Sequence, residues 1–556
     1  MMIRKIFCYA ALGSCMAFFA VFLLLPVFNV ISSGCDAGLI MEIFRNHIYR
    51  EGLCNSFLIS IVTTLMVLMI SLFLAFLYDR YDFPLRRYCG FFMLLLMILP
   101  PFVGALGFQQ ILGYYGTINT LLCKVGLPRV DFFGGTGKFW VICLVEALHL
   151  YPVLYLNLVA AMASVDPACD EAARICGASA RTRFLKINLP LLKPGILAGV
   201  SIVMVWSFTE LGTPLMFGYT RTCAVQIFNG LNELESNPVP YALVLIMLIL
   251  SALMYLAARY SLRGNAVSAG KGMYVKTPVK PIWWQRWLVT SAFLLVTLLA
   301  VMPHTALVVR AFSTDCYMQL IPEKFTLANF QEALSNQLVL PSVVNSLRYS
   351  LLATLIALVC GIVISLAVCR WKLAGAKAAD LLAMMPLAVP GVVVAFGFLS
   401  MSVKYQWAEK YFDPVSNPLW LLAIAYAVRR IPYVLRSLSS GLEQTPEEYE
   451  LAARNYGASP LKITTRILLP LVIGNIVIGG LFAFSFSMLE VSDSLILAQK
   501  TAFYPITKAL YELSQILGSG SSAASAFGVW MMAFLALNLA IGGAILGKKL
   551  GSLFRF

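Results

Sequence analysis

The chain has 556 residues, of which 60% are hydrophobic and 12% charged, with a mean hydropathy of +0.83. Soluble domains carry about a quarter charged residues, so this composition excludes that class and reads as a polytopic membrane protein. The net charge of +15 is read by position and not as a nucleic-acid footprint, because basic and nearly neutral loops alternate, with about 25 Lys and Arg on one side and about 10 on the other.

About a dozen apolar runs of roughly 20 residues are each long enough to cross the hydrocarbon core as helices. Outer-membrane strands would alternate in hydrophobicity instead. The first run, 6–30, follows Arg4 and Lys5 and is long for the apolar part of a signal peptide, with no clear small-x-small cleavage site. It is expected to remain a helix. Leu12-Gly-Ser-Cys15 faintly resembles a lipoprotein box, but the apolar run continues past the cysteine. Helices follow at 55–78, 90–112, 138–162, 194–217 and 240–261, then at 285–311, 345–369, 379–402, 418–440, 474–496 and 521–546. Pro100, Pro152, Pro390 and Pro432 fall inside these spans, where proline breaks the backbone ladder and kinks the helix.

Basic residues gather at Arg4 and Lys5, from Arg80 to Arg87, from Arg259 to Arg286, from Arg370 to Lys377 and from Lys548 to Arg555. By the positive-inside rule these stretches and both termini are cytoplasmic. The thirteen cysteines show no paired spacing, and most lie in apolar segments; Cys35 and Cys54 could meet outside. Gly134-Gly-Thr-Gly-Lys138 looks like a phosphate loop, yet Phe132 stands at the first glycine and Phe139 at the Ser or Thr, so it reads as an external turn.

One stretch occurs twice. Asp170-Glu-Ala-Ala-Arg-Ile-Cys-Gly177-Ala-Ser, running on to Ile187-Asn-Leu-Pro190, returns 280 positions later as Glu450-Leu-Ala-Ala-Arg-Asn-Tyr-Gly457-Ala-Ser, running on to Ile467-Leu-Leu-Pro470. Both are polar islands on the basic side, and each reads as helix, turn at the glycine, helix. The repeat extends further, from Asn55-Ser56 through Pro100-Pro-Phe-Val-Gly-Ala-Leu-Gly107-Phe108 to Asn345-Ser346 and Pro390-Gly-Val-Val-Val-Ala-Phe-Gly397-Phe398, at an offset of 290. Six spans per half keep both halves in one orientation, a parallel duplication about an axis along the membrane normal. The division is residues 1–262, a cytoplasmic linker at 263–283, and residues 284–556.

The spacing Glu-Ala-Ala-x3-Gly-x9-Ile-x-Leu-Pro resembles the signature of inner-membrane permease subunits of binding-protein-dependent ABC importers. The second copy departs from it once, with Leu451 where Glu171 stands and Glu450 one place earlier. The resemblance covers nearly the whole chain, and two loops in one polypeptide look like the fused permeases of iron(III), thiamine and phosphonate uptake systems. It implies an all-α fold, polytopic in the cytoplasmic (inner) membrane of a bacterium, with about 12 helices in two parallel six-helix repeats of the type I importer permease kind. It implies that Glu171, Ala172, Ala173, Gly177, Glu450, Ala452, Ala453 and Gly457 form coupling helices seated on two copies of a cytoplasmic ATPase. ATP and Mg are used by that partner, and no cofactor is expected on this chain, which is then a transport subunit and not an enzyme. An external solute-binding protein delivers the cargo, and the fusion implies one copy of the chain per complex. Iron(III) is the first expectation for the cargo, with thiamine, phosphonate and polyamine behind it. The other class with two parallel six-helix halves, the major facilitator secondary transporters, is faintly suggested by Asp79-Arg80 with Arg86-Arg87, but the repeated loop has no place there.

Ionisable groups inside a span are costly and invite a functional reading. Glu210 and Glu490 share the offset of 280, preceded by Ser207 and Ser487 and followed by Thr213 and Asp493. These six are expected to line the translocation pathway, where the carboxylates would attract a cation; packing or gating is the alternative. Arg429 and Arg430 interrupt another span, and the counterpart of Arg429 is His149, near Glu146. The arginines are expected to snorkel to the cytoplasmic interface, the alternative being a salt bridge to a carboxylate such as Glu490. Only His47, His149 and His304 are present, too few for a histidine metal cage. Gly230-Leu-Asn-Glu-Leu234 and Ala509-Leu-Tyr-Glu-Leu513 also correspond, as external amphipathic helices that touch a docking protein or plug the pore mouth.

Overall fold

The computed structural model describes residues 2–163, 165–233, 237–262, 278–314, 322, 324–516 and 520–546. Among them there is no β-strand, only two isolated bridges. Helices stand at all twelve expected places. They are α1 (Cys8–Gly34), α2 (His47–Arg80), α3 (Cys89–Ile98 continued by Pro101–Leu112), α4 (Gly137–Ala163), α5 (Ala180–Met216) and α6 (Val239–Leu262). The second set is α7 (Trp283–Ala311), α8 (Val339–Trp371), α9 (Ala376–Leu387 with Gly391–Lys404), α10 (Leu419–Gln444), α11 (Pro460–Leu471 with Ile473–Met488) and α12 (Gly520–Leu546).

Eight of these are long and apolar enough to cross a membrane unaided, and ten if the bent pairs of α9 and α11 each count as one span. The other two fall short for stated reasons. In α3 the helix breaks at Leu99, whose extended backbone is what a following proline favours, leaving two short pieces. In α10, Arg429, Arg430 and Arg436 load the middle of the helix with charge. The matching break in α9 precedes Pro390, where the axis turns by 104°. Pro152 and Pro432 lie inside continuous helices.

The chain forms two compact units that do not follow the order of the repeats. One contains Met1–Phe44, Ile227–Leu248 and Gln331–Ser552; the other contains Arg45–Gln226, Ile249–Phe330 and Leu553–Phe556. In the first, α8, α10 and α11 pack on one another, and the end of α1 (Leu25–Gly34) packs on Gly391–Lys404. In the second, α2, α4 and α5 make the same triplet, and α7 packs on Pro101–Leu112. Thus the opening helix of each repeat joins the unit built mainly from the other repeat.

Two glycines make that packing possible. A Cβ on Gly107 would lie 1.9 Å from the carbonyl oxygen of Pro303 on α7, and one on Gly397 would lie 2.9 Å from that of Pro26 on α1. Without hydrocarbon exclusion to drive them together, membrane helices rely on such close backbone approach. These are the same glycines that the sequence repeats 290 positions apart. Most of the linker, 263–277, and the basic stretch from Lys548 to Arg555 lie outside the described residues. Cys35 and Cys54 are each exposed and free.

Candidate functional site: the repeated loops and the buried polar residues

The first loop begins with the helix Pro167–Ile175, whose N-cap Asp166 accepts the N–H of Ala168 at 2.9 Å with proline at the first helical position. It ends at Gly177, φ +78°, with the N–H of Ala178 donating to the carbonyl of Ala173 at 3.0 Å. That six-to-one bond over a left-handed residue is a Schellman cap. Ser179 then caps Ala180–Arg183, the start of α5, which continues through a π-helical turn, Phe184–Asn188. The second loop repeats the construction. Glu448–Asn455 ends at Gly457, φ +76°, Ala458 donates to Ala453 at 3.0 Å, Ser459 caps the next turn, and a π-helical turn spans Thr464–Leu468. A Cβ at either glycine would meet nothing within 4 Å, so the requirement is conformational and not steric.

The side chains divide into those that hold the loop and those that face outward. Asp170 Oδ1 accepts from Arg183 Nε at 3.1 Å and from Asn188 Nδ2 at 3.4 Å. At the corresponding place Glu450 is buried, its Oε1 2.8 Å from Arg370 Nε, while Arg370 Nη2 donates to the carbonyls of Leu442 and Thr445. Leu366, Leu442, Ile463, Leu468 and Val472 form the apolar cluster beneath. Glu450 is therefore the partner of Asp170, and both bind inward; the outward position is Glu171 in one loop and Leu451 in the other, both exposed. Beside them Ile175 is 87% exposed and Tyr456 93%. Ala172 and Ala452 are exposed, while Ala173 and Ala453 are half-buried against the loop. Asp170 and Arg370 are the residues that reading by motif passes over, although the offset of 280 already pairs Asp170 with Glu450.

The interior polar residues also occupy equivalent places with unlike chemistry. Regular helix stops at Phe208 and at Met488, and a short helix starts at Gly212 and at Ser492, so Glu210 and Glu490 each sit in a break. Glu210 Oε1 accepts the N–H groups of Gly212 and Thr213 at 3.1 and 3.3 Å, capping the short helix. Glu490 instead meets two guanidinium groups, Arg429 Nη1 at Oε1 and Arg430 Nη2 at Oε2. Arg429 Nη1 lies 3.7 Å from Asp493 Oδ2, and Arg430 Nη2 donates to the carbonyl of Phe486 at 2.8 Å. The expected snorkelling of these arginines is not what happens: Arg430 is 7% exposed and Glu490 5%, so desolvation drives them onto each other.

In the other unit, position 149 is histidine and 150 leucine. His149 lines a cavity of about 20 Å³ with Gly104, Phe108, Pro303 and His304. The carboxylate there is Glu146, 3% exposed, whose Oε2 accepts from Ser207 Oγ and, at 3.5 Å, from Thr63 Oγ1. Thr213 and Ser487 are fully or almost fully buried. No group of three or more His, Cys, Asp or Glu side chains fit to hold a metal occurs among the described residues. The glycine-rich stretch at 134–138 is a turn entering α4.

Between the spans, the paired segments expected outside are the 3-10 turn Gly230–Glu233 and the helix Ile506–Gln515; Leu234 lies outside the described residues. On the latter, Lys508 is 8% exposed, and its Nζ donates to the carbonyl of Leu495 at 3.0 Å.

Comparison with known proteins agrees with this construction. The "Probable ABC transporter permease protein y4fN" of Sinorhizobium fredii is 25% identical over 78% of this chain and 76% of its own length. The Fe(3+)-transport system permease protein FbpB 2 of Haemophilus influenzae is 23% identical over 85% of this chain and 87% of its own. The ferric transport system permease protein FbpB of Actinobacillus pleuropneumoniae is 23% identical over 78% of this chain, a match that spans 61% of that protein. The family described as the inner membrane component of binding-protein-dependent transport systems matches residues 17–265 and 355–551, most of both repeats. That match sets aside the secondary-transporter alternative. The chain belongs to this family: it is an inner membrane component of a binding-protein-dependent transport system.

Proposed function

We propose that this chain is the fused permease of an ATP-driven importer of iron(III), receiving its cargo from an external binding protein and releasing it into the cytoplasm. The observation that carries the reading is the pair of exposed loops that turn at the same left-handed glycine with the same C-terminal cap, together with ferric-transport relatives aligned over more than three quarters of the chain. In this reading each loop docks on one copy of a cytoplasmic ATPase, so that one permease chain serves two ATPase subunits, and both termini are cytoplasmic. ATP binding draws the two docked loops together and alternates access to the route. The free energy is external to this chain.

Glu171, Ala172, Gly177, Ala452 and Gly457 shape the docking surface, with Ala173, Ala453 and Glu450 holding it from within. Ser207, Glu210, Thr213, Ser487, Glu490 and Asp493 are proposed to border the route. Glu490 and Asp493 do so through their pairing with Arg429 and Arg430 and not as bare carboxylates. The test is uptake into proteoliposomes containing the chain with its ATPase and binding protein. ATP-dependent accumulation of radioactive iron that survives collapse of the proton gradient is expected. Accumulation of thiamine, a phosphonate or a polyamine without iron would overturn the cargo, and dependence on the proton gradient would overturn the ATP-driven mechanism.

A further inference from the structure

The two units answer the same electrostatic problem differently. Around Glu490 the protein supplies its own positive charge, with a guanidinium on each carboxylate oxygen. Around Glu146 it does not. The places that hold Arg429 and Arg430 are His149 and Leu150 in the first repeat, and Tyr426 stands where Glu146 does. Among the described residues no Lys or Arg pairs with Glu146, which is nine-tenths and more buried. Its Oε2 takes two hydroxyl donors, Ser207 Oγ and Thr63 Oγ1, and its Oε1 takes none.

A carboxylate taken out of water with no compensating charge costs several kcal/mol even after relaxation, far more than two neutral hydroxyls return. Two further groups of the same unit bear on this, one a carboxylate and one a neutral hydroxyl. Glu210 acts on Glu146 electrostatically from the break within α5, between Phe208 and Gly212. The short helix Gly212–Met216 packs on α4, and it carries Thr213, fully buried with an Oγ1 that has no hydrogen-bond partner. Carboxylate and hydroxyl oxygens are the donor set of hard cations, not of soft ones.

We infer that Glu146, with the hydroxyls of Ser207 and Thr63, forms a binding site for a small hard cation that takes the place the guanidinium groups fill in the other unit. The cation is either an alkali ion resident in the unit or the ferric cargo in passage. Only the second of these rests on the transport reading above.

The experiment is thermal unfolding of the purified full-length chain in sodium chloride, in N-methylglucamine chloride of equal ionic strength, and in the latter with ferric citrate, for wild type, Glu146→Gln and Glu490→Gln. Gln at 146 keeps the shape and an acceptor for Ser207 while removing the charge. Wild type is expected to unfold at a higher temperature in sodium or with ferric citrate than in N-methylglucamine alone. Half-saturation is expected to weaken about tenfold or more in Glu146→Gln, whereas Glu490→Gln, whatever its stability, keeps the response. A rise with sodium identifies the resident ion, and a rise with ferric citrate alone identifies the cargo. A wild-type midpoint indifferent to all metal cations means the carboxyl is simply protonated and overturns the site. A response that persists unchanged in Glu146→Gln does the same. ATP-driven iron uptake measured alongside separates the two readings: normal uptake with no cation response removes the site alone, and a cation response without uptake removes the transport reading alone.

Discussion

The loops and the interiors of this duplicated chain have fared differently. The two loops share a Schellman cap over a left-handed glycine, a serine cap and a π-helical turn at matching positions, and they differ in the N-cap, Asp166 against Glu447 with no side-chain cap bond, and in what faces out, Glu171 against Leu451. The interiors share helix breaks and serines but not charge: two arginines neutralise Glu490, and hydroxyls alone meet Glu146. In the docking role proposed for them, the loops must keep their backbone geometry. A buried site need only balance its charge, which can be done by side chains or by something bound. Duplication therefore preserved form at the surface and left chemistry open to change inside.

The most severe way to break the contrast is to unbalance the self-neutralised interior. Arg430→Met leaves Glu490 with Arg429 alone in a buried setting and is expected to cost about 3 kcal/mol, the low end of the penalty for breaking a buried ion pair, because one guanidinium remains. Adding Glu490→Gln should recover much of that loss, because the uncompensated charge then disappears. A double-mutant cycle on thermal unfolding measures the coupling, and additive losses would show that the arginine matters only for packing.

At the loops the expected damage is to function first. A bulky residue at Gly177 or Gly457 must adopt φ near +78° or +76°, which costs a non-glycine residue about 1–2 kcal/mol, with no clash to add because the space is open. The double variant Gly177→Trp, Gly457→Trp should insert normally, lose most ATP-driven uptake and leave ATP hydrolysis uncoupled. Uptake at wild-type rate would show that the turns do not transmit the ATPase motion.

The loops differ in how they are pinned, and that sharpens the comparison further. Arg370 is 7% exposed in its side chain and depends on Glu450, whereas Asp170 is 40% exposed and shares its load with solvent. Glu450→Ala should destabilise by about 1–3 kcal/mol because the buried guanidinium of Arg370 loses its carboxylate and keeps only carbonyl acceptors and the more distant Glu447, and Asp170→Ala by about 1 kcal/mol or less. Limited proteolysis of the two loops would report this order directly. Glu171→Ala should leave stability alone and weaken only coupling, since its side chain faces out.

Much of this was legible in the sequence. Hydropathy placed all twelve helical segments, because an apolar stretch of membrane length has few alternatives, and the offset of 280 paired the loops residue for residue. What it left unread depends on distance between segments. The motif draws the eye to Glu450 as a docking group, but its role is decided by Arg370, 80 positions earlier. Hydropathy favoured snorkelling for Arg429 and Arg430 over a salt bridge, and it is the break at Glu490 that brings the carboxylate to them. Nor does a repeat at the level of sequence announce that α1 and α7 each pack in the unit built from the other repeat, since the glycines that permit it read as ordinary small residues.

The last expected effect is a pH dependence outside the spans, confined to alkaline solution. Lys508 on Ile506–Gln515 is pushed down from 10.5 to about 8 by burial, with the charge of nearby Glu512 opposing the shift. Its counterpart in the first repeat, by the alignment of the two external segments, is Asn229, which does not titrate. A lysine that releases its proton earlier in the folded state than in the unfolded one makes the unfolded chain the better proton binder between about pH 8 and 10.5. Stability contributed by this group therefore rises as pH climbs through that window and is lower, and flat, below about 8, where the folded protein keeps a partly desolvated ammonium. Lys508→Met keeps the length and apolar stem, removes the titration, and should flatten the rise while leaving stability at pH 7 equal to or above wild type. Thermal midpoints of both proteins across pH 7 to 10.5 check this, and an identical rise in the variant would assign the pH response to another group.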